Sequence, residues 1–216
     1  MNIEQARFNM VEQQIRTWEV LDPCILALIT GSPREDYVPP AYRKLAFADM
    51  GLPLAHGQLM MQPKVEARVL QELQIKPTDK ILEVGTGSGY LTSLLASLGK
   101  HVHSVEYHAD LSHAALEQLA RHHHKNVTLE AGDAANGWSR HAPYDVIVLT
   151  GSVAVVPEAY KEQLAMGGRM FVAVGTGLLK EALVLHKTAT GYAEISLFEA
   201  DLPPLINGEP KPKFVF

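Results

Sequence analysis

The stretch ILEVGTGSGY holds the first residues whose types and spacing could do chemistry: Glu83, then Gly85, Thr86, Gly87, Ser88 and Gly89, between a strand pattern and a helix pattern. Glycines there permit positive φ and let a ligand approach the backbone closely. A dinucleotide site would space them G-x-G-x-x-G and aim a helix amino end at a pyrophosphate. Here the spacing is G-x-G-x-G, Tyr90 stands where that third glycine would be, and Glu83 lies two residues before the loop. A carboxylate in that place repels an anion and attracts a cationic ligand end. Glu106, followed by Tyr107, ends the next strand pattern, HVHSVE, and Gly132 and Asp133, followed by Ala134, end a third, NVTLEAGD. Glycines alone would suit any tight strand-to-helix turn. Acids at successive strand ends are more than a turn requires.

The elements that position these residues alternate. From Lys80 on, KILEV, HVHSVE, NVTLEAGD, YDVIVLT and GRMFVAV read as strands, with YLTSLLASL, DLSHAALEQLARH and PEAYKEQL as helices among them. Such alternation predicts a mostly parallel sheet with helical crossovers. EALVLHK and YAEISLF are separated only by TATG, too short for a parallel crossover, so an antiparallel hairpin should close the sheet. Before Lys80 the chain reads as short helices. Asp22-Pro23 starts one over CILALI, and Ser32-Pro33-Arg34-Glu35 has the form of a capping box. LPLAHGQLMMQP reads as extended, and Pro63 opens a helix with Val65, Val69, Leu70 and Leu73 at helical spacing. The expected organisation is one domain: a helical and extended segment over 1–62 covering the active site, a Rossmann-like α/β core over 63–200, and an extended tail over 201–216. Phe214, Val215 and Phe216 in that tail are apolar enough to dock on the body or on a second subunit.

Composition narrows the partners. With 216 residues, 47% hydrophobic and 20% charged, a net charge of -5 and a pI near 6.0, the chain suits a globular domain without a broad electrostatic grip on nucleic acid or anionic lipid. No apolar run reaches membrane-spanning length, and MNIEQARFNMVEQQIR lacks the apolar core of a signal peptide, so a cytoplasmic protein is expected. The lone Cys24 cannot form an intramolecular disulfide and is expected as core filler. His122, His123 and His124 point in different directions on a helix without a completing ligand set, and no metal is expected.

The glycine loop with its two acids resembles motif I of the class I S-adenosylmethionine-dependent methyltransferases, whose cofactor carries an amino group and a sulfonium but no phosphate. Residues near 8 to 175 further resemble the protein-L-isoaspartate O-methyltransferase family. The matching stretches include Pro33-Arg34-Glu35-Asp36-Tyr37-Val38-Pro39, ILEVGTGSGYLTSLLA, NVTLEAGDAANGW, APYDVIVLTGSVAVVPE and QLAMGGRMFVAVG. The resemblance implies a seven-stranded methyltransferase sheet with added helices and methyl transfer to the abnormal carboxylate of isoaspartyl residues. It implies S-adenosylmethionine held by Glu83, the loop from Gly85 to Gly89, Gln62, Glu106 at both ribose hydroxyls, and Tyr107, Gly132, Asp133 and Ala134 near the adenine.

One segment departs from the family. Where G-Q-T-I-S-Q-P is typical, this chain has Gly57-Gln58-Leu59-Met60-Met61-Gln62-Pro63, so two hydroxyls are missing and Met61 occupies the place of the serine used at the acceptor carboxylate. The catalytic residue is therefore unassigned, and His56, Met60 and Met61 are the candidates for the acceptor mouth. The acceptor would be a peptide, a protein or a small molecule, on a monomer or weak homodimer. A methyltransferase with a different acceptor, or a catalytically silent S-adenosylmethionine-binding protein, is the alternative.

Overall fold

The computed structural model describes residues 2–208. Helices α1 (Ile3–Met10), α2 (Pro23–Gly31) and α3 (Arg34–Tyr37) come first. Asp22 starts α2 as its sequence requires, accepting from the Cys24 and Ile25 amides at 2.8 and 3.4 Å ahead of Pro23 at the first position. Ile25 and Ile29, four residues apart, take the inward stripe of α2, which leaves Cys24 exposed rather than in the core. The capping box over 32–35 does not form either. Ser32 Oγ donates back to the Leu28 carbonyl at 2.8 Å, closing α2, while Glu35 pairs with Arg7 at 2.5 Å.

The segment expected to run extended instead folds back on itself. Strands β1 (Leu52–Pro53) and β2 (Leu59–Met60) pair antiparallel across a turn in which His56 and Gly57 both adopt positive φ, 57° and 70°. Leu54 N–H donates to the Gln58 carbonyl at 2.8 Å and closes the hairpin. Pro63 then opens α4 (Pro63–Leu73), which buries Val65, Val69, Leu70 and Leu73 on one face.

The remainder alternates as its pattern predicts: β3 (Lys80–Val84), α5 (Tyr90–Leu98), β4 (His101–Glu106), α6 (Ala109–Arg121), β5 (Val127–Ala131), β6 (Tyr144–Val153), α7 (Glu158–Gln163), β7 (Leu164–Val174), β8 (Lys180–Thr188) and β9 (Gly191–Ala200). They form one sheet of order β5-β4-β3-β6-β7-β8-β9, parallel from β5 to β7 and antiparallel from β7 to β9. Both faces of its centre are covered, so the strands read as continuous apolar runs. Ile81, Val146, Val148 and Phe171 face the core shared with the N-terminal helices, α4 and α5; Leu82, Val84, Ile147, Leu149 and Met170 face the other. Each such buried aliphatic side chain contributes about 1.5–3 kcal/mol of transfer free energy.

From β3 the chain winds outward to β4 and β5, then returns to lay β6 on the opposite side of β3. Reversal of direction opens a crevice at the carboxyl ends of the central strands, the place where open α/β sheets bind ligands. After β9 a strap crosses that end: Ser152 N–H donates to the Pro203 carbonyl and Leu205 N–H to the Ser152 carbonyl, both at 2.8 Å. Phe214, Val215 and Phe216 lie outside the described residues.

Candidate active site

The loop after β3 is wedged in place. Gly85, Gly87 and Gly89 have φ of 93°, 52° and 81°, conformations that side chains with a Cβ rarely adopt. A Cβ on Gly85 would collide with the Thr150 hydroxyl, which reaches across from β6 to the Val84 and Gly85 carbonyls at 2.9 Å each. A Cβ on Gly87 would meet Leu54 of the hairpin at 3.2 Å. Gly89 caps α5 without a side chain.

The two acids that look equivalent in the sequence face opposite ways. Glu106, at the end of β4, lines the crevice; Oε2 accepts from the Gly87 amide at 2.9 Å and Oε1 from the His108 amide at 3.0 Å. Each oxygen retains a second lone-pair position for a ligand donor. Glu83, at the end of β3, is 0% exposed and points into the core, where Oε2 accepts from Thr92 Oγ1 at 2.5 Å and Ser104 Oγ at 2.6 Å. Its Oε1 has no partner among the described residues. Burial pushes the Glu83 carboxyl up to about 8, against the pull of the two hydroxyls. Glu83 therefore ties β3, β4 and α5 together beneath the loop rather than presenting a charge to the crevice. Thr86 belongs to the same buried chain of hydroxyls, 2.6 Å from Ser104.

The crevice has about 640 Å³ of empty space, open solvent at its mouth included. Of the residues expected at the cofactor, Gly85, Gly87, Glu106, Tyr107, Gly132, Asp133 and Ala134 line it. Glu83, Thr86, Ser88, Gly89 and Gln62 do not. Sequence reasoning missed most of the rest of the wall: Leu54, Gln58 and Leu59 from the hairpin, Thr150 and Gly151 from β6, and Pro203, Pro204, Leu205 and Ile206 from the strap. Asp133 explains how the strap is held, since its Oδ2 accepts from Asn207 Nδ2 at 2.8 Å while Oδ1 accepts from the Ala135 amide at 3.0 Å. No local pattern in PPLING announces that contact.

Beside this crevice, and sharing Leu59 and Pro203 with it, lies a second cavity of about 910 Å³ lined also by Trp18, Met60, Met61, Gln62, Lys64 and Asp201. Met60 and Met61 are only 3% and 7% exposed and belong to the main core; Leu59, at 44%, is the residue of this segment that stands between the cavities. Arg34 fixes the backbone here. Fully buried, it donates Nη2 to the Met61 carbonyl at 2.6 Å and Nε to the Ala46 carbonyl at 2.9 Å, pairs with Glu66, and lies over the Tyr90 ring at 4.8 Å. Burial pushes the Glu66 carboxyl up to about 7, with the Arg34 guanidinium pulling the other way. His56 lines neither cavity. It sits exposed on the hairpin turn, 2.8 Å from Asp110.

The wall chemistry limits what fits the crevice. It carries two carboxylates, Glu106 and Asp133, glycine backbone open to close approach, and apolar surface from Val105, Ala134 and Leu205; no lysine, arginine or histidine lines it among the described residues. A phosphate would find no cation there. A ligand with a sugar, a flat base and a cationic end would find a partner for each part, so these residues fit S-adenosylmethionine.

Comparison with known proteins agrees. The family model described as Protein-L-isoaspartate(D-aspartate) O-methyltransferase matches residues 5–201. A protein-L-isoaspartate O-methyltransferase of Gloeobacter violaceus is 36% identical over 203 residues, covering 94% of this chain and 99% of that protein. One from Protochlamydia amoebophila is 37% identical over 202 residues, covering 93% and 96%. Among solved structures, a Plasmodium falciparum protein described as a beta-aspartate methyltransferase, in complex with S-adenosyl-L-homocysteine, superposes with a TM-score of 0.79 over 93% of this chain and 98% of that one. At 19% identity that likeness is one of fold.

Proposed function

This chain belongs to the protein-L-isoaspartate(D-aspartate) O-methyltransferase family, and we propose that it methylates the free α-carboxylate of isoaspartyl residues, whose side-chain carbonyl is taken up in the peptide bond, in peptides and proteins. The observation that carries the reading is the crevice at the switch point of the sheet, with acids and, among the described residues, no cations in its wall and Glu106 braced by the glycine loop. Glu106 would take the ribose hydroxyls, with Asp133 and Ala134 beside the base and the Gly85–Gly87 backbone along the amino-acid end. When bound, S-adenosylmethionine supplies an electrophilic methyl group.

What this chain contributes to transfer is placement. A carboxylate acceptor, with an ordinary pKa of about 4, is ionised at neutral pH and needs no base. Alignment behind the methyl group and exclusion of water then supply the rate. The cavity beside Leu59, Met60 and Met61 is where the acceptor would enter, because it meets the crevice only at Leu59 and Pro203. Leu59, Met60 and Met61 offer little to a carboxylate, and Glu199 and Asp201 in the same wall would repel one, so backbone amides and Gln62 or Lys64 would hold the acceptor. No helix among the described residues is long and apolar enough to cross a membrane. The reading places the protein in the cytoplasm, in keeping with a single exposed cysteine.

The test uses methyl-labelled S-adenosylmethionine and a matched pair of peptides, one with isoaspartate and one with aspartate. Base-labile label on the isoaspartyl peptide alone is the expected result. Protein that binds the cofactor by calorimetry yet labels neither peptide overturns the acceptor, and label on another component of a cell extract would then identify the replacement.

A further inference from the structure

His56, His108 and Asp110 come together from two elements separated by about fifty residues, and we infer that they form a site for a divalent transition cation of the zinc class, which fastens the hairpin across the mouth of the crevice. One donor atom from each residue lies within 4.8 Å of the other two. Two imidazoles and a carboxylate with an outward-facing fourth position make a common open zinc set. Donors on one such ion stand about 3 to 4 Å apart, so a small inward movement closes the site.

Two features of the free site point to a missing partner. Asp110 already accepts from His56 Nε2, at 2.8 and 3.0 Å to its two oxygens, but His108 Nε2 is shielded from solvent and has no partner among the described residues. Buried ring nitrogens of histidine ordinarily find one. The His56 and His108 rings stack with centroids 4.0 Å apart and planes 9° from parallel. Parallel rings do not aim their in-plane lone pairs at one point, so binding requires one ring to turn about its Cβ–Cγ bond. His56, exposed on the turn, is the ring free to do so, and that torsion is soft.

The location gives the ion a consequence. Gln58, two residues beyond His56, donates to the His56 carbonyl and lines the crevice; Glu106 and Tyr107 line it immediately before His108. An ion held by His56 on one side and by His108 and Asp110 on the other would join the two walls of the cofactor site. Without it the described residues link them here by one exposed His–Asp pair, worth little in water, and by the stacked rings of His56 and His108.

Titration of zinc chloride into the full chain, monitored by calorimetry, tests the site. The expected result is one ion per chain with a micromolar or tighter Kd, weakened at least about tenfold in each of His56→Ala, His108→Ala and Asp110→Asn. Zinc should also raise the melting temperature of the parent and not of His56→Ala, whose exposed position keeps its folding out of question. His101→Ala and His122→Ala, in the other histidine groups, should keep the parent's affinity. Absence of binding below about 100 µM overturns the site, as does affinity that survives all three ligand changes or is lost with His101 or His122. Both readouts follow zinc and heat stability, so a failed methyl-transfer assay leaves them unmoved.

Discussion

The cofactor crevice and the acceptor cavity share two residues, Leu59 and Pro203, yet they are built by different means. The crevice is made of strand ends, whose positions follow from sheet topology, and its polar groups are braced by neighbouring backbone: Gly87 and His108 amides on Glu106, the Ala135 amide on Asp133. The cavity is made mainly of a hairpin of two-residue strands, a strap, the tip of α4 and the end of β9, the hairpin held by one buried guanidinium on the Met61 carbonyl. Topology places a binding site wherever the sheet reverses. Acceptor choice is left to segments that the sheet does not specify, where a change such as serine to methionine leaves the fold intact.

The contrast predicts its largest effect on the crevice side. Glu106→Ala removes the carboxylate from the ribose position and releases two loop amides, and calorimetry should show S-adenosylmethionine binding weaker by about 2–4 kcal/mol. Binding within threefold of the parent would mean the sugar lies elsewhere. On the cavity side, Leu59→Thr with Met61→Ser should raise kcat/KM on an isoaspartyl peptide roughly 10- to 100-fold, the worth of one hydrogen bond to a charged group, about 1.5–3 kcal/mol. Because Met61 is core, the double variant should also melt earlier, as truncation of a buried methionine costs about 2–5 kcal/mol. A parent that already turns over the peptide as fast as the double variant would show that backbone amides and Gln62 or Lys64 suffice.

The same division explains how much was legible beforehand. Strand and helix alternation, the hairpin of β8 and β9, and Glu106 beside Gly132-Asp133 at a common sheet end follow from local periodicity and spacing, which one sequence displays. Leu205 and Asn207 reach the crevice because Ser152 and Asp133 bind the strap, and Arg34 governs Met61 across 27 positions. Pairings at that separation leave no periodic trace. The capping box at Ser32 failed for a related reason: its side chain turns back to donate to the Leu28 carbonyl, and Glu35 is drawn to Arg7, 28 positions away. Met60 and Met61 do double duty that their motif does not show, lining the cavity while packed in the core, and the unforeseen turn at His56-Gly57 leaves Leu59 outside.

The smallest effect separates the two acids of the glycine motif. If Glu83 is a buried brace, Glu83→Gln should change cofactor affinity far less than Glu106→Ala does, and its mark should be on stability. Its carboxyl is raised in the folded protein to about 8, whereas the unfolded chain has the ordinary value of 4.5. Folding therefore favours the protonated form: stability from this group is complete below pH 4.5 and is lost progressively as pH rises toward 8, because the unfolded state ionises first. A glutamine cannot ionise. The melting temperature of Glu83→Gln, taken relative to the parent, should thus be higher at pH 8 than at pH 5, by a few degrees for an effect on the order of 1–2 kcal/mol. Subtracting the parent at each pH removes the parallel contribution of Glu66, which is raised by the same burial. A difference that does not change with pH would mean that Glu83 is ionised in the fold, with its charge turned toward the crevice after all.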